Sequence, residues 1–256
     1  NTFSGKSFLM NKGTINNEDG SRITSKEIIV NSGEITITFP KKDNGVCLSC
    51  IETENIIFYG GSILLEGGSY ITNYDSSQNM GGDAIKATTS VKLYGGTFKL
   101  LGGSMDYISG GYTARPGNAI NSPTLIIDGG NIYAKGGTPW NNPPFPQASN
   151  NNKVNVHLGK TPDIANATDV SVDGKPYYIS GNHDGDNKLY LYMTGEDHTV
   201  TVRTDDNSIT TYQATYKSEG VDGDGAGKGY FIFDNGSSSI PANNSSVTFG
   251  LSDYEM

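Results

Sequence analysis

The chain has 256 residues, of which 34 are Gly and 25 Asn, with a formal net charge of −9. Gly costs ~1 kcal/mol in a helix interior and Asn competes for its own backbone there, so a helical bundle is excluded and short strands joined by turns are expected. The acidic balance argues against a nucleic-acid partner, and no apolar run approaches the roughly 18 residues of a membrane span.

Along the chain, one pattern returns. A faint copy, Phe8-Leu-Met-Asn-Lys-Gly-Thr-Ile15, is followed by Ile28-Ile-Val-Asn-Ser-Gly-Glu-Ile-Thr-Ile37. Three closer copies come next: Ile56-Ile-Phe-Tyr-Gly-Gly-Ser-Ile-Leu-Leu65, Val91-Lys-Leu-Tyr-Gly-Gly-Thr-Phe-Lys-Leu100 and Leu125-Ile-Ile-Asp-Gly-Gly-Asn-Ile-Tyr-Ala134. The glycines that close the turn fall at 13, 33, 61, 96 and 130, in steps of 20, 28, 35 and 34. Each copy reads as strand, Gly turn, strand with period-two alternation. A second mark, a small residue then Ile, precedes the glycine at Cys50-Ile51, Ala84-Ile85 and Ala119-Ile120, with Ile23 at the same offset.

Repeats that cannot bury their apolar faces alone stack so that neighbours supply the partner surface. The spacing therefore predicts a right-handed parallel β-helix over 1–158. A β-sandwich of hairpins explains the glycine content but gives no reason for the spacing. Cys47 and Cys50 lack the second pair or the His cluster a zinc site needs, and Cys50 fills the slot Ala holds in the next copies, which marks it as stacked core.

Long insertions leave the repeats after Gly67-Gly68, Gly102-Gly103 and Gly136-Gly137. Stacking in register predicts that they project side by side. They carry Tyr70, Tyr74 and Asp75; Asp106, Tyr107, Tyr112 and Arg115; and Trp140 and Phe145 within a Pro-rich stretch. Aromatic faces suit the C–H faces of sugar rings, while carboxylates and amides suit their hydroxyls. Rigid prolines lower the ordering cost of binding. The competing reading has these rings pinning their own loops or meeting another protein.

From Val154 the repeat fades. Val154–Leu158 reads as a last strand and 159–168 as a linker. An antiparallel β subdomain is predicted over 169–236, with strands at Asp169–Val172, Pro176–Ile179, Lys188–Met193, His198–Val202 and Ile209–Tyr216 around Asp-Gly turns. It is expected to lie on or beside the repeats and to cover their open end. The residues 237–256 form a Ser- and Asn-rich terminal segment. Asp222–Gly229 has the look of a calcium loop, but Phe233 stands where an EF-hand needs its bidentate Glu, so a Gly-rich hairpin turn is expected. His183, Asp184 and Asp186 read as turn residues.

The Gly-Gly-(Ser/Thr/Asn)-(Ile/Phe) strands and Gly-(Asp/Asn)-Ala-Ile marks, followed by Asp173-Gly-Lys-Pro-Tyr-Tyr178 and Lys188–Val202, resemble the carbohydrate-binding β-helix domains on surface proteins of anaerobic bacteria. The likeness covers roughly residues 8 to 216. It implies a pectate-lyase-like right-handed β-helix that binds plant or cell-surface polysaccharide without cleaving it, in an extracellular or cell-surface setting. No cofactor is required, and calcium is the one ion it brings in.

Catalysis finds little support in the residues. A lyase of this fold wants an Arg or Lys base beside carboxylate-held calcium, and the exchange of Asp83 for Asn118 in one repeat slot breaks a row of carboxylates. Asp75 and Asp106, the pair a hydrolase would need, are not in equivalent slots. The leading expectation is a non-catalytic polysaccharide-binding module with no metal site, no nucleic-acid partner and no membrane span. The alternative is a structural or adhesive surface protein that binds copies of itself or other proteins.

Overall fold

Ile, Val and Phe at alternate positions suit a pleated, half-buried surface. In the computed structural model each repeat has a strand on either side of its glycine. The structure describes residues 3–41, 47–72, 81–107, 116–137, 156–218 and 229–239. Among them the chain is all-β, and no helix is long and apolar enough to cross a membrane.

The first repeat supplies β1 (Phe3–Met10) and β2 (Thr14–Asn17), and the second β3 (Ile23–Val30) and β4 (Glu34–Thr38). The third gives β5 (Ile51–Phe58), β6 (Ser62–Glu66) and β7 (Tyr70–Thr72). The fourth gives β8 (Ile85–Leu93), β9 (Thr97–Leu101) and β10 (Met105–Tyr107), and the fifth β11 (Ile120–Asn121), β12 (Leu125–Ile127) and β13 (Asn131–Lys135). Every pairing among these strands is parallel. One sheet runs β1-β3-β5-β8, with β11 and β12 both on β8; a second runs β13-β9-β6-β4-β2; β10 and β7 form a third. Among the described residues of this half no strand pairs as a hairpin, which argues against the sandwich reading for it.

The register aligns the copies as their sequences align. Ile28, Ile56 and Val91 are partners in one row, and Ile35, Ile63, Phe98 and Ile132 in another. Ile23, Ile51, Ile85 and Ile120 form a third. Both sheets turn these rows into one core, where Phe58 meets Phe98 edge-on at 5.2 Å. Burying each such side chain contributes roughly 1.5–3 kcal/mol. Cys50, Ala84 and Ala119 are all fully buried in that core, as the shared slot predicts, and burial pushes the Cys50 thiol far above its ordinary range.

Gly13, Gly33, Gly61, Gly96 and Gly130 have φ between +104° and +127°. A side chain would be strained there. At Gly33, Gly61 and Gly96 a Cβ would also come within 2.7 Å of the carbonyl of the glycine one repeat earlier. Outside this turn the rings of Tyr59 and Tyr94 stack at 5.4 Å.

The second half is antiparallel. β14 (Val156–Lys160) pairs with β17 (Tyr190–Thr194). A second sheet joins β15 (Ala167–Val172), β16 (Lys175–Pro176), β18 (His198–Thr204), β19 (Ile209–Lys217), β20 (Tyr230–Phe233) and β21 (Ser237–Ser239). The stretch read as a linker thus contains the end of β14 and the start of β15. Val156 and Tyr192 pack against the core of the repeats, so the pair β14–β17 covers its C-terminal end.

Tyr177–Ile179, expected in a strand, lies outside any strand after β16, because its neighbours bond to the repeats. Gly96 N–H donates to Tyr178 O at 2.8 Å, Ser180 N–H to Thr97 Oγ1 at 2.9 Å, and Ser180 Oγ to Gly61 O at 2.9 Å. Thr97 Oγ1 and Asn131 Nδ2 both donate to Gly181 O, and Asn131 Oδ1 accepts from Tyr190 N–H at 2.7 Å. The last two members of the Ser/Thr/Asn slot, Thr97 and Asn131, therefore dock the second half. Asn131 is fully buried, so Asn131→Ala strands the Tyr190 N–H. A loss of about 2 kcal/mol is expected, read as a lower urea midpoint with unchanged m-value.

Candidate functional site

The insertions leave from a column of glycines. Gly68 N–H donates to Leu48 O, Gly82 N–H to Gly68 O, Gly103 N–H to Gly82 O, Gly117 N–H to Gly103 O and Gly137 N–H to Gly117 O, at 2.8–3.1 Å. Outgoing limbs (68, 103, 137) and returning limbs (48, 82, 117) alternate up the column. The backbones touch: a Cβ on Gly82, Gly103, Gly117 or Gly137 would fall 1.9–2.0 Å from the carbonyl oxygen two places back in the column, that of Leu48, Gly68, Gly82 or Gly103 respectively. Only glycine fits, here for lack of space. The outgoing glycines were visible in the sequence. The returning ones enter the sequence only within the Gly-(Asp/Asn)-Ala-Ile mark, which does not show their partnership with the outgoing ones.

Beyond the column β7 and β10 run parallel, with Tyr70 opposite Met105, Asp106 opposite Ile71 and Tyr107 opposite Thr72. Tyr70, Asp106 and Tyr107 thus share one small sheet at the roots of the first two insertions. Tyr74, Asp75, Tyr112, Arg115, Trp140 and Phe145 lie outside the described residues, as does Asp222–Lys228 of the calcium-like loop. Next to the column, Asp83 is buried and both of its oxygens accept hydrogen bonds. Its Oδ1 accepts from Asn118 N–H and Nδ2 at 2.7 and 3.1 Å, and its Oδ2 from Asn121 Nδ2 at 2.9 Å. The Asp/Asn exchange at this slot is a hydrogen-bond pair that ties two repeats.

Two histidine environments bear on chemistry. His198 Nδ1 sits 2.6 Å from Asp173 Oδ2, and its Nε2 is 3.2 Å from Thr194 Oγ1, the residue types of a nucleophile–base–acid chain. Nε2 is nearer the Thr194 carbonyl, at 3.0 Å, and the Thr194 hydroxyl donates to Glu196. Both nitrogens are spent on turn contacts, so the ring staples β18 to the Asp173 turn. Burial pushes the Asp173 carboxyl up, but the hydrogen bonds from His198 and Thr199 N–H outweigh it and hold it below its ordinary value.

His183 differs. With Lys99, Tyr133, Asp184, Asp186 and Tyr190 it lines a cleft of about 230 Å³ between β9, β13 and the 183–190 segment. Its ring contacts Tyr133 and Tyr190 edge-on, at 6.3 and 5.9 Å, and these two rings meet at 5.1 Å. The residue is 9% exposed, and Nε2 is buried without a hydrogen-bond partner. Burial lowers its pKa to about 4. Asp186 does serve as a turn residue, accepting from Lys188 N–H and the Tyr190 hydroxyl. The sequence did not join it to Lys99 and Tyr133, which face outward at paired positions of β9 and β13.

No family model, curated protein or solved structure matches the chain. Among the described residues no three His, Cys, Asp or Glu side chains gather as a metal site would require.

Proposed function

We propose that the chain is a non-catalytic carbohydrate-binding module of an extracellular or cell-surface protein. In this reading its repeats wind as a right-handed parallel β-helix, and the aromatic insertions along one edge hold a plant or cell-surface polysaccharide. The observation that carries it is the glycine column. Three insertions with Tyr, Trp, Phe and carboxylate residues are rooted one above another, and a polymer has regularly spaced sugars to meet such a row. Both oxygens of Asp83 are held by amide donors of Asn118 and Asn121, which supports a structural role for this carboxylate in tying two repeats.

Affinity gel electrophoresis on plant polysaccharides tests the reading. Wild type should be retarded in at least one gel, and Tyr107→Ala and Trp140→Ala should each weaken the interaction roughly five- to tenfold, as loss of a stacking ring does. Unretarded migration in every gel, with self-association in sedimentation, would favour the structural or adhesive reading.

A further inference from the structure

The outward side chains of the first sheet differ sharply from one register row to another. In the row Ser4, Thr24, Glu52, Lys86 and Asn121 every side chain is polar, as suits a solvated face. Nearer the glycine turns the row reads Leu9, Ile29, Ile57, Lys92 and Ile126, one residue from each repeat. Leu9 is 61% exposed, Ile126 38%, and Tyr59, two residues beyond Ile57, 40%; Ile29 and Ile57 are half-buried between them. Of the four large hydrophobics well exposed among the described residues, three thus share this face. Single exposed apolar side chains are ordinary, but a contiguous strip marks a contact surface.

We propose that this face binds a second copy of the chain, about a twofold axis that runs along β5 between the two facing sheets. Such an axis sets Ile57 on the partner's Ile57 and reverses the order of the repeats. The first repeat then meets the fifth, and the second meets the fourth. Charge complementarity favours this arrangement. Lys92, in the fourth repeat, faces the second, where Glu27 is exposed two residues before Ile29. Asp128, exposed two residues after Ile126, faces the first repeat, where Lys12 is exposed. Opposite signs meet at both places, whereas a twofold axis parallel to the stack would set Lys92 on the partner's Lys92. Neither Glu27 nor Lys92 has an ion-pair partner among the described residues, so the contact takes no charge from an existing pair. The strip crosses five strands, about 19 Å at ~4.8 Å per step. That places it at the small end of specific interfaces, below ~1,200 Å² in total, and a weak dimer with a Kd of roughly tens of micromolar is expected. The insertions leave each repeat after the strand that follows the glycine turn, so this face shares no residue with them and the dimer does not rest on the carbohydrate reading.

Sedimentation velocity, from well below to well above that Kd, tests the proposal. Wild type should pass from monomer to dimer and no further. Ile57→Arg brings like charges together on the axis and should weaken association about tenfold or more. Glu27→Lys and Lys92→Glu should each weaken it about fivefold, and the double variant, which exchanges the two signs, should regain wild-type association. Thermal unfolding of the charge variants at the wild-type temperature shows that their fold is intact. Lys92→Ala should also weaken the dimer; stronger association would mean that Lys92 guards the face against contact and would overturn the proposal. Tyr107→Ala should leave association unchanged, which separates this face from the insertion edge. A monomer at every concentration, a dimer indifferent to Ile57→Arg, or no recovery in the double variant would likewise overturn it.

Discussion

Gly103→Ala is expected to unfold the protein or to destabilise it beyond the ~4 kcal/mol that marks exceptional single substitutions. A Cβ there would lie 1.9 Å from Gly68 O and 2.6 Å from Gly68 C. Both are backbone atoms that no rotamer change can move. The limb would have to back away, and the bonds from Gly103 N–H to Gly82 O and from Gly117 N–H to Gly103 O would go with it. Gly174→Ala is the control. Its φ of +76° disfavours a side chain, but a Cβ would meet nothing within 4 Å, so only the left-handed backbone cost of about 1–2 kcal/mol remains. Urea unfolding of the two variants should separate crowding from conformational preference. Equal losses would mean that the column opens without cost and cannot hold the insertions in a row.

The glycine turns and the core rows could be read in advance because each depends on one repeat and the next. Apolar alternation and the Gly at 13, 33, 61, 96 and 130 repeat in the sequence as they do in space. What escaped depends on partners far apart in the chain. Thr97 and Asn131 look like ordinary turn-following polar residues until Gly181 and Tyr190 arrive beside them. Tyr177–Ile179 has strand composition, yet the flanking backbone finds its acceptors and donors on the repeats. Tyr177 itself is buried, with its hydroxyl bonded to Tyr192 O. The sequence marks the insertions by their Gly-Gly starts, and β7 pairs with β10 at the roots of the first two. The His183 cleft is not legible in the sequence, because its walls come from two repeats and from a turn far downstream in the chain.

The same two-sided construction makes His183 a source of acid sensitivity. In the unfolded chain its imidazole titrates near the ordinary 6.5, whereas in the folded protein burial lowers the pKa to about 4. Lys99 adds to the depression, and Asp186, Asp184 and the Asn131 carbonyl oppose it. Between these two values the unfolded chain binds a proton that the folded protein refuses, so stability falls as pH drops from about 6.5 to about 4. Above that window both states are neutral at this ring and it has no effect; below it the penalty is constant, at roughly 3 kcal/mol. His183→Gln removes the titration while keeping a donor and an acceptor. From pH 7 to pH 5, where most carboxylates stay ionised, wild type should lose about 2 kcal/mol more than this variant in urea unfolding. His157 and His198 are present in both proteins, so their contributions cancel in the difference. Parallel stability profiles would show that the folded imidazole accepts its proton as readily as the unfolded one, and the ring could not then be the dry acceptor at the junction.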